Sequence, residues 1–187
     1  MSIDRVYIDA NKLLLDSFKL GVAIHNSGFK PDFIVGVWRG GTPVGIAIQE
    51  ILDYLGNKTD HIAIRTSSYN TIDDQRDQVQ VHGLSYLVRN INAEDKLLLV
   101  DDVFDSGRSI RAIIDTLQEK SRKNAPNDIR VAVPWFKPNN NKTDIKPDYF
   151  IHQTDDWLIF PHEMDGLSKD EIFENKPGLK DILSKVN

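Results

Sequence analysis

The stretch Leu97-Leu98-Leu99-Val100-Asp101-Asp102-Val103-Phe104-Asp105-Ser106-Gly107-Arg108-Ser109-Ile110 changes its period half-way. Leu97 to Val100 carry no polar alternation, which predicts a strand covered on both faces of a parallel sheet. After Ser109 the apolar residues Ile110, Ile113, Ile114 and Leu117 recur at i, i+3, i+4 and i+7, the stripe of an amphipathic helix. A strand feeding a turn and then a helix puts that turn at the carboxyl end of the sheet, where open α/β folds bind ligands.

The chemistry of the turn is specific. Asp105, Ser106, Gly107, Arg108 and Ser109 can aim backbone N–H groups and two hydroxyls at one point beside a helix N-terminus, whose dipole favours an anion. A phosphate fits there. Asp101 and Asp102 can accept from two neighbouring hydroxyls, so a ribose phosphate satisfies both halves of the turn.

Three further segments belong with it. Phe33 to Val37 reads as a buried strand, and Trp38-Arg39-Gly40-Gly41 as a turn whose glycines let backbone amides approach an anion. Thr42 then fits an N-cap with Pro43 at the first helical position, and Val44, Ala47, Ile48, Ile51 and Leu55 mark a buried stripe that Gly56 ends. His61 to Arg65 is a β-branched run leading past Ser68 and Tyr69 into a polar stretch, Thr71 to Gln80, that reads as a mobile loop. Ile129 to Val133 is a strand with Trp135, Phe136 and Lys137 at its end. Pro147 to Ile151 and Trp157 to Phe160 are two more short strands.

Together these segments resemble type I phosphoribosyltransferases over about residues 30–165, and Asp105, three residues after the acidic pair, resembles the hypoxanthine, guanine and xanthine branch. The resemblance implies an α/β fold: a central, mostly parallel sheet flanked by helices, a small hood for the base and a flexible catalytic loop. It implies a purine salvage enzyme that transfers the 5-phosphoribosyl group of phosphoribosyl pyrophosphate (PRPP) to a 6-oxopurine, giving the nucleoside 5′-monophosphate and pyrophosphate. Asp105 is then the acid/base facing the imidazole ring. Asp101 and Asp102 order the ribose and meet Mg²⁺ directly or through water, and Ser106, Gly107, Arg108 and Ser109 hold the 5′-phosphate. Arg39, Gly40 and Gly41 form the pyrophosphate loop, and Ser68 and Tyr69 belong to the catalytic loop. Lys137 donates to the 6-oxygen, Trp157 stacks on the purine, Leu158 addresses its pyrimidine edge through the backbone, and Glu163 lies near a second metal ion. Ser106 and Ser109 stand where threonines are more usual and keep the hydroxyls, Arg108 stands where Lys or Gly is common, and His162 replaces an aromatic residue.

Lys137 can only donate, which suits a 6-oxo acceptor over a 6-amino group. Acidic Asp155, Asp156 and Glu163 favour hypoxanthine and guanine over the more readily ionised xanthine. The alternatives are a phosphoribosyltransferase for another base, or a PRPP- or purine-sensing regulator of the same fold without catalysis. A phospho-receiver domain is a poor fit, since its acidic pair follows the first strand and Arg39-Gly40-Gly41 would go unexplained. A homodimer or homotetramer is the assembly the family implies.

Composition agrees with such an enzyme. At 187 residues, 40% hydrophobic and 27% charged, the chain suits a single domain, 1–187, with residues 164–187 as a helical extension. A net charge of −5 argues against a nucleic-acid surface, and the absence of cysteine removes disulfides and thiolate chemistry. No signal peptide and no membrane-length apolar run are evident, so the expected compartment is the cytoplasm and no membrane partner is expected. Asp9 can cap a helix bearing Ala10, Leu13, Leu14 and Ile24 that ends near Gly28. Ser168 and Glu171 have capping-box spacing, and Pro177, Leu179, Ile182, Leu183 and Val186 suggest a last short helix.

Overall fold

The computed structural model of the chain describes residues 5–69 and 78–185. Its elements run β1 (Arg5–Tyr7), α1 (Ala10–Asn26), β2 (Phe33–Trp38), α2 (Gly41–Tyr54), β3 (Asp60–Tyr69), β4 (Gln78–His82), α3 (Ser85–Asn90), β5 (Lys96–Val100), β6 (Val103–Phe104), α4 (Arg108–Ser121), β7 (Asp128–Phe136), β8 (Tyr149–Gln153), β9 (Trp157–Ile159), α5 (Lys169–Asn175) and α6 (Leu179–Leu183). They divide into two compact units, Leu13–Asp155 and the two chain ends, Met1–Lys12 with Asp156–Asn187.

The larger unit is a mixed α/β structure around a mostly parallel sheet in the order β4-β3-β2-β5-β7, with β8 on the far edge of β7. Only β4 runs antiparallel, against β3. The short β6 pairs with Trp135 and Phe136 of β7 just beyond the residues that pair with β5, so the chain that leaves β5 returns to the same edge. Leu97, Leu98, Leu99 and Val100 are fully buried, as an unbroken apolar run requires. On one face Leu97, Leu99, Val35, Val37, Val131 and Val133 meet α3 and α4 through Leu87, Ile91, Ile110, Ile113 and Leu117. Across the other face lies α2, where Gly45 sits against Gly36, Ile34 and Val100.

Local differences from the expected elements have clear causes. Helix α2 begins at Gly41, with Gly40 as its N-cap, so Thr42 is already inside the first turn and its buried hydroxyl has no hydrogen-bond partner. Leu52, and not Ile51 or Leu55, completes the fully buried stripe, since Ile51 and Leu55 are only partly buried. In α1 the Asp9 carboxylate does accept from the Lys12 amide at 3.0 Å, but Ala10 and Leu14 are exposed. The buried face runs through Leu13, Asp16, Ser17, Leu20, Gly21 and Ile24 because Gly21 lets α2 approach through Ile48 and Ile51. Asp16 tolerates burial by pairing with His152 Nε2 at 2.7 Å and Lys19 Nζ at 2.8 Å. The polar loop expected over 71–80 is narrower, since β4 takes Gln78, Val79 and Gln80; residues 70–77 of the expected catalytic loop lie outside the described residues.

In the smaller unit β1 and β9 pair in parallel, Arg5 opposite Trp157 and Tyr7 opposite Ile159. Ser168 caps α5 with a complete capping box to Glu171, as its spacing predicts.

Candidate active site

The loop after β5 is built from both sides. Gly107 adopts φ +75°, a left-handed conformation that a side chain strains, and a Cβ there would also meet the Phe104 ring and the Thr143 hydroxyl. That turn starts α4 directly, and Asp101, Asp102, Asp105, Ser106, Gly107 and Ser109 line a cavity of about 220 Å³ at the helix N-terminus. Arg108 is exposed and does not line it. Its amide is instead bonded to the Ser106 hydroxyl at 3.4 Å. The helix dipole favours an anion at this end.

The turn after β2 is packed against the acidic pair. A Cβ on Gly41 would stand 2.3 Å from the Val100 carbonyl oxygen and 2.8 Å from the Asp101 Cα, and one on Gly40 would collide with the Asp102 carboxylate. Only glycines allow that approach. The peptide bond between Trp38 and Arg39 is cis, and the Arg39 side chain is exposed at the same turn. Asp101 accepts from the amides of Asp102, at 2.9 Å, and Gly41. Burial, reinforced by the neighbouring Asp102 charge, nevertheless holds its carboxyl well above the ordinary value. Two carboxylates are thus pressed together where they repel, an arrangement that a cation or ligand hydroxyls would relieve.

Lys137 is the clearest gain over the sequence. It is buried, not solvated, and its Nζ lies 3.5 Å from Asp105 Oδ2, which joins the end of β7 to the loop after β5. Its amide donates to the Phe104 carbonyl at 2.9 Å, fixing its place. A half-exposed carboxylate and a buried ammonium therefore stand side by side within reach of one ligand.

Two contributors were missed by sequence reasoning. Thr66 Oγ1 donates to Ser109 Oγ at 3.5 Å, tying β3 to the Ser106–Ser109 turn, and Lys142 donates its amide to the Ser106 carbonyl at 2.9 Å. The run Asn139-Asn140-Asn141 signalled a turn near Lys142, whereas nothing local marks Thr66. Ser68 and Tyr69 close β3, with the rest of their expected loop in 70–77.

In the smaller unit Trp157 is 55% exposed and Leu158 is buried, so the strand presents the indole and hides the leucine side chain. Glu163 Oε2 accepts from the Phe160 amide at 2.9 Å, which leaves its other oxygen for any further ligand. Among the described residues no group of three His, Asp or Glu side chains gathers as a self-sufficient metal site, and no helix is long and apolar enough to cross a membrane.

With this geometry in hand, comparison with known proteins is decisive for the family. The model of the phosphoribosyl transferase domain matches residues 8–168. The chain belongs to that family. A relative, the bifunctional protein PyrR of Leuconostoc mesenteroides, is 29% identical over 177 residues, covering 87% of this chain and 98% of its own. Among solved structures, a purine phosphoribosyltransferase from Pyrococcus horikoshii Ot3 has a TM-score of 0.66 at 24% identity, covering 88% of this chain and 98% of its own. The xanthine-guanine-hypoxanthine phosphoribosyltransferase of Helicobacter pylori has a TM-score of 0.67 at 22% identity, with 97% and 99% covered. These structures share the phosphoribosyl transferase fold described above.

Proposed function

We propose that the protein transfers the 5-phosphoribosyl group of PRPP to a 6-oxopurine, hypoxanthine or guanine ahead of xanthine, releasing pyrophosphate in a purine salvage reaction. The observation that carries this reading is the Lys137–Asp105 pair, a buried donor and a carboxylate 3.5 Å apart beside the phosphate turn. A 6-oxopurine offers an acceptor to the ammonium and an imidazole ring to the carboxylate. Adenine offers Lys137 an amino group, which cannot accept the hydrogen bond that a 6-oxo group accepts.

The steps divide among this chain's residues. Asp101 and Asp102 hold the ribose hydroxyls, and the Ser106–Ser109 turn holds the 5′-phosphate. Arg39 and the Gly40–Gly41 turn take the pyrophosphate, which departs as the bond from the anomeric carbon to its oxygen breaks. A ring nitrogen of the purine forms the new bond to that carbon while Asp105 exchanges a proton with the imidazole ring. Trp157 stacks on the base, the Leu158 backbone addresses its pyrimidine edge, and Ser68 and Tyr69 act in the closing loop.

The adjacent carboxylates of Asp101 and Asp102 suit Mg²⁺, a hard cation held by one or two carboxylates together with substrate oxygens. The metal, when bound, neutralises the leaving pyrophosphate. The second-cation role of Glu163 rests on the oxygen that Phe160 does not occupy. Assembly as a homodimer or homotetramer in the cytoplasm belongs to the same proposal.

Similarity to PyrR supports a second reading, a phosphoribosyltransferase for another base or a regulator of this fold. Pyrophosphate release from PRPP and Mg²⁺ with adenine, hypoxanthine, guanine, xanthine, uracil and orotate separates the readings. Turnover confined to 6-oxopurines supports the first, efficient turnover of adenine or a pyrimidine sinks it, and PRPP binding without turnover of any base favours the regulator.

A further inference from the structure

The C-terminal segment after Leu167 has no role in the reaction as described, yet it contains a buried cation. Lys176, immediately after α5, is 9% exposed. Its Nζ donates to the Phe160 carbonyl at 2.8 Å and the Pro161 carbonyl at 3.2 Å. The same turn is closed by its own backbone, with the Glu163 amide donating to the Phe160 carbonyl at 3.0 Å and the Phe160 amide to Glu163 Oε2 at 2.9 Å. The chain that runs out of Trp157–Ile159 is thus fixed at two successive carbonyls by one ammonium from a distant helix end.

That helix end is itself anchored. The Lys176 amide is bonded to the Ile172 carbonyl at 2.9 Å, Ile172 is buried, and Glu171 of α5 pairs with Arg5 and accepts from Tyr7 on β1. β1 in turn pairs with β9, so the tail, β1 and the segment from Trp157 to Glu163 form one closed frame. Stability alone does not call for a lysine here. Its oxygen partners are neutral carbonyls, burial lowers its pKa from the ordinary lysine value, and Glu163 offsets this only in part. An apolar side chain of similar volume would spare the desolvation of the ammonium and lose its bonds to two carbonyls, terms of opposite sign. What an ammonium supplies and a methionine does not is direction: it fixes where two backbone carbonyls point.

We infer that Lys176 is a positioning residue for base recognition, holding the Phe160 and Pro161 carbonyls so that the backbone from Leu158 to Glu163 meets the pyrimidine edge of the purine in one orientation. The inference rests on the proposed 6-oxopurine reaction, in which that backbone reads the base. It assigns a specificity role to the tail without any contact between Lys176 and the substrate.

The test is steady-state kinetics of the full chain with PRPP and guanine or hypoxanthine, comparing the unaltered protein with Lys176→Met and Lys176→Arg. Loss of one or two positioned hydrogen bonds predicts a rise of about three- to tenfold in the KM for the base. The kcat and the KM for PRPP should stay within about twofold, a split that general loosening of the fold would not produce. Lys176→Arg, which keeps a cationic donor, should recover most of the base affinity. If Lys176→Met does not fold, as a thermal melt would reveal, Lys176→Gln carries the same comparison with one donor retained. An unchanged base KM in a folded variant overturns the inference, as does a parallel loss in base KM, PRPP KM and kcat. Absence of turnover by the unaltered protein with every purine overturns the proposed reaction and this inference with it, so the two failures are distinguishable.

Discussion

The turn from Asp101 to Ser109 follows β5 and the segment from Trp157 to Glu163 begins as β9, and the two are held by different parts of the chain. The first is framed by its sequence neighbours, β5 before it, α4 after it and a left-handed Gly107 between, and is tied to distant segments through Gly41, Thr66, Lys137 and Lys142. The second is held by groups far away along the chain, Arg5 and Tyr7 through Glu171, and Lys176 through two carbonyls. The difference teaches that a turn recognisable from a local motif still takes its anchors from several strands of the larger unit, whereas the Trp157–Glu163 segment depends on the two chain ends folding together.

The sharpest attack on the first region is Asp105→Asn. As the proposed acid/base it should cost about a hundred- to ten-thousand-fold in turnover while PRPP binding is nearly kept. Rate at saturating PRPP and calorimetric titration of PRPP separate these quantities, and a loss in binding alone would reassign Asp105 to holding the turn.

Next in size is Gly41→Ala. Its Cβ would lie 2.3 Å from the Val100 carbonyl oxygen, a backbone atom that cannot rotate away. Overpacking of this kind costs about 1–3 kcal/mol, or about 3–10 °C in Tm for a chain of this size. A melt within a degree of the unaltered protein would mean that the two turns are not locked together.

Asp101→Asn should act on stability in the opposite direction while abolishing tight PRPP binding. Burial and Asp102 raise the folded-state pKa of Asp101, so the folded protein binds its proton more tightly than the unfolded chain. Stability therefore falls as pH rises from the ordinary carboxylate range through the raised value, and the asparagine variant escapes that loss. The expected gain is about 0.5–2 kcal/mol near neutral pH, vanishing in acid. Melts at several pH values check it, and a variant less stable than the parent at neutral pH would refute the repulsion.

The smallest effect probes the frame. The Glu171 carboxyl is pulled down to about 2 by the Ser168 amide and hydroxyl, with Arg5 adding to it. Its stabilisation is fully present above the ordinary value of 4.5 and lost as pH falls toward 2. Glu171→Gln should lower the neutral Tm slightly and flatten this acid limb of the Tm profile, so that variant and parent converge toward pH 2.

The sequence by itself determined the elements whose causes are local. An unbroken apolar run specifies a strand covered on both faces, the spacing from Ile110 to Leu117 specifies α4, and Ser168 with Glu171 specifies the start of α5, because each needs only neighbours along the chain. The motif residues Asp101 to Ser109 and Arg39 to Gly41 were legible for the same reason. The tertiary structure alone decided what depends on contacts between distant segments. It brought Gly41 against Val100, buried Lys137 beside Asp105, started α2 one residue before Thr42, and set Asp16 against His152 in the interior. Lys176 shows the division most plainly. Its sequence neighbours mark an exposed helix end, and only the folding of both chain ends onto one frame turns its charge toward the Phe160 and Pro161 carbonyls, since a buried ammonium must find its acceptors wherever the chain has placed them.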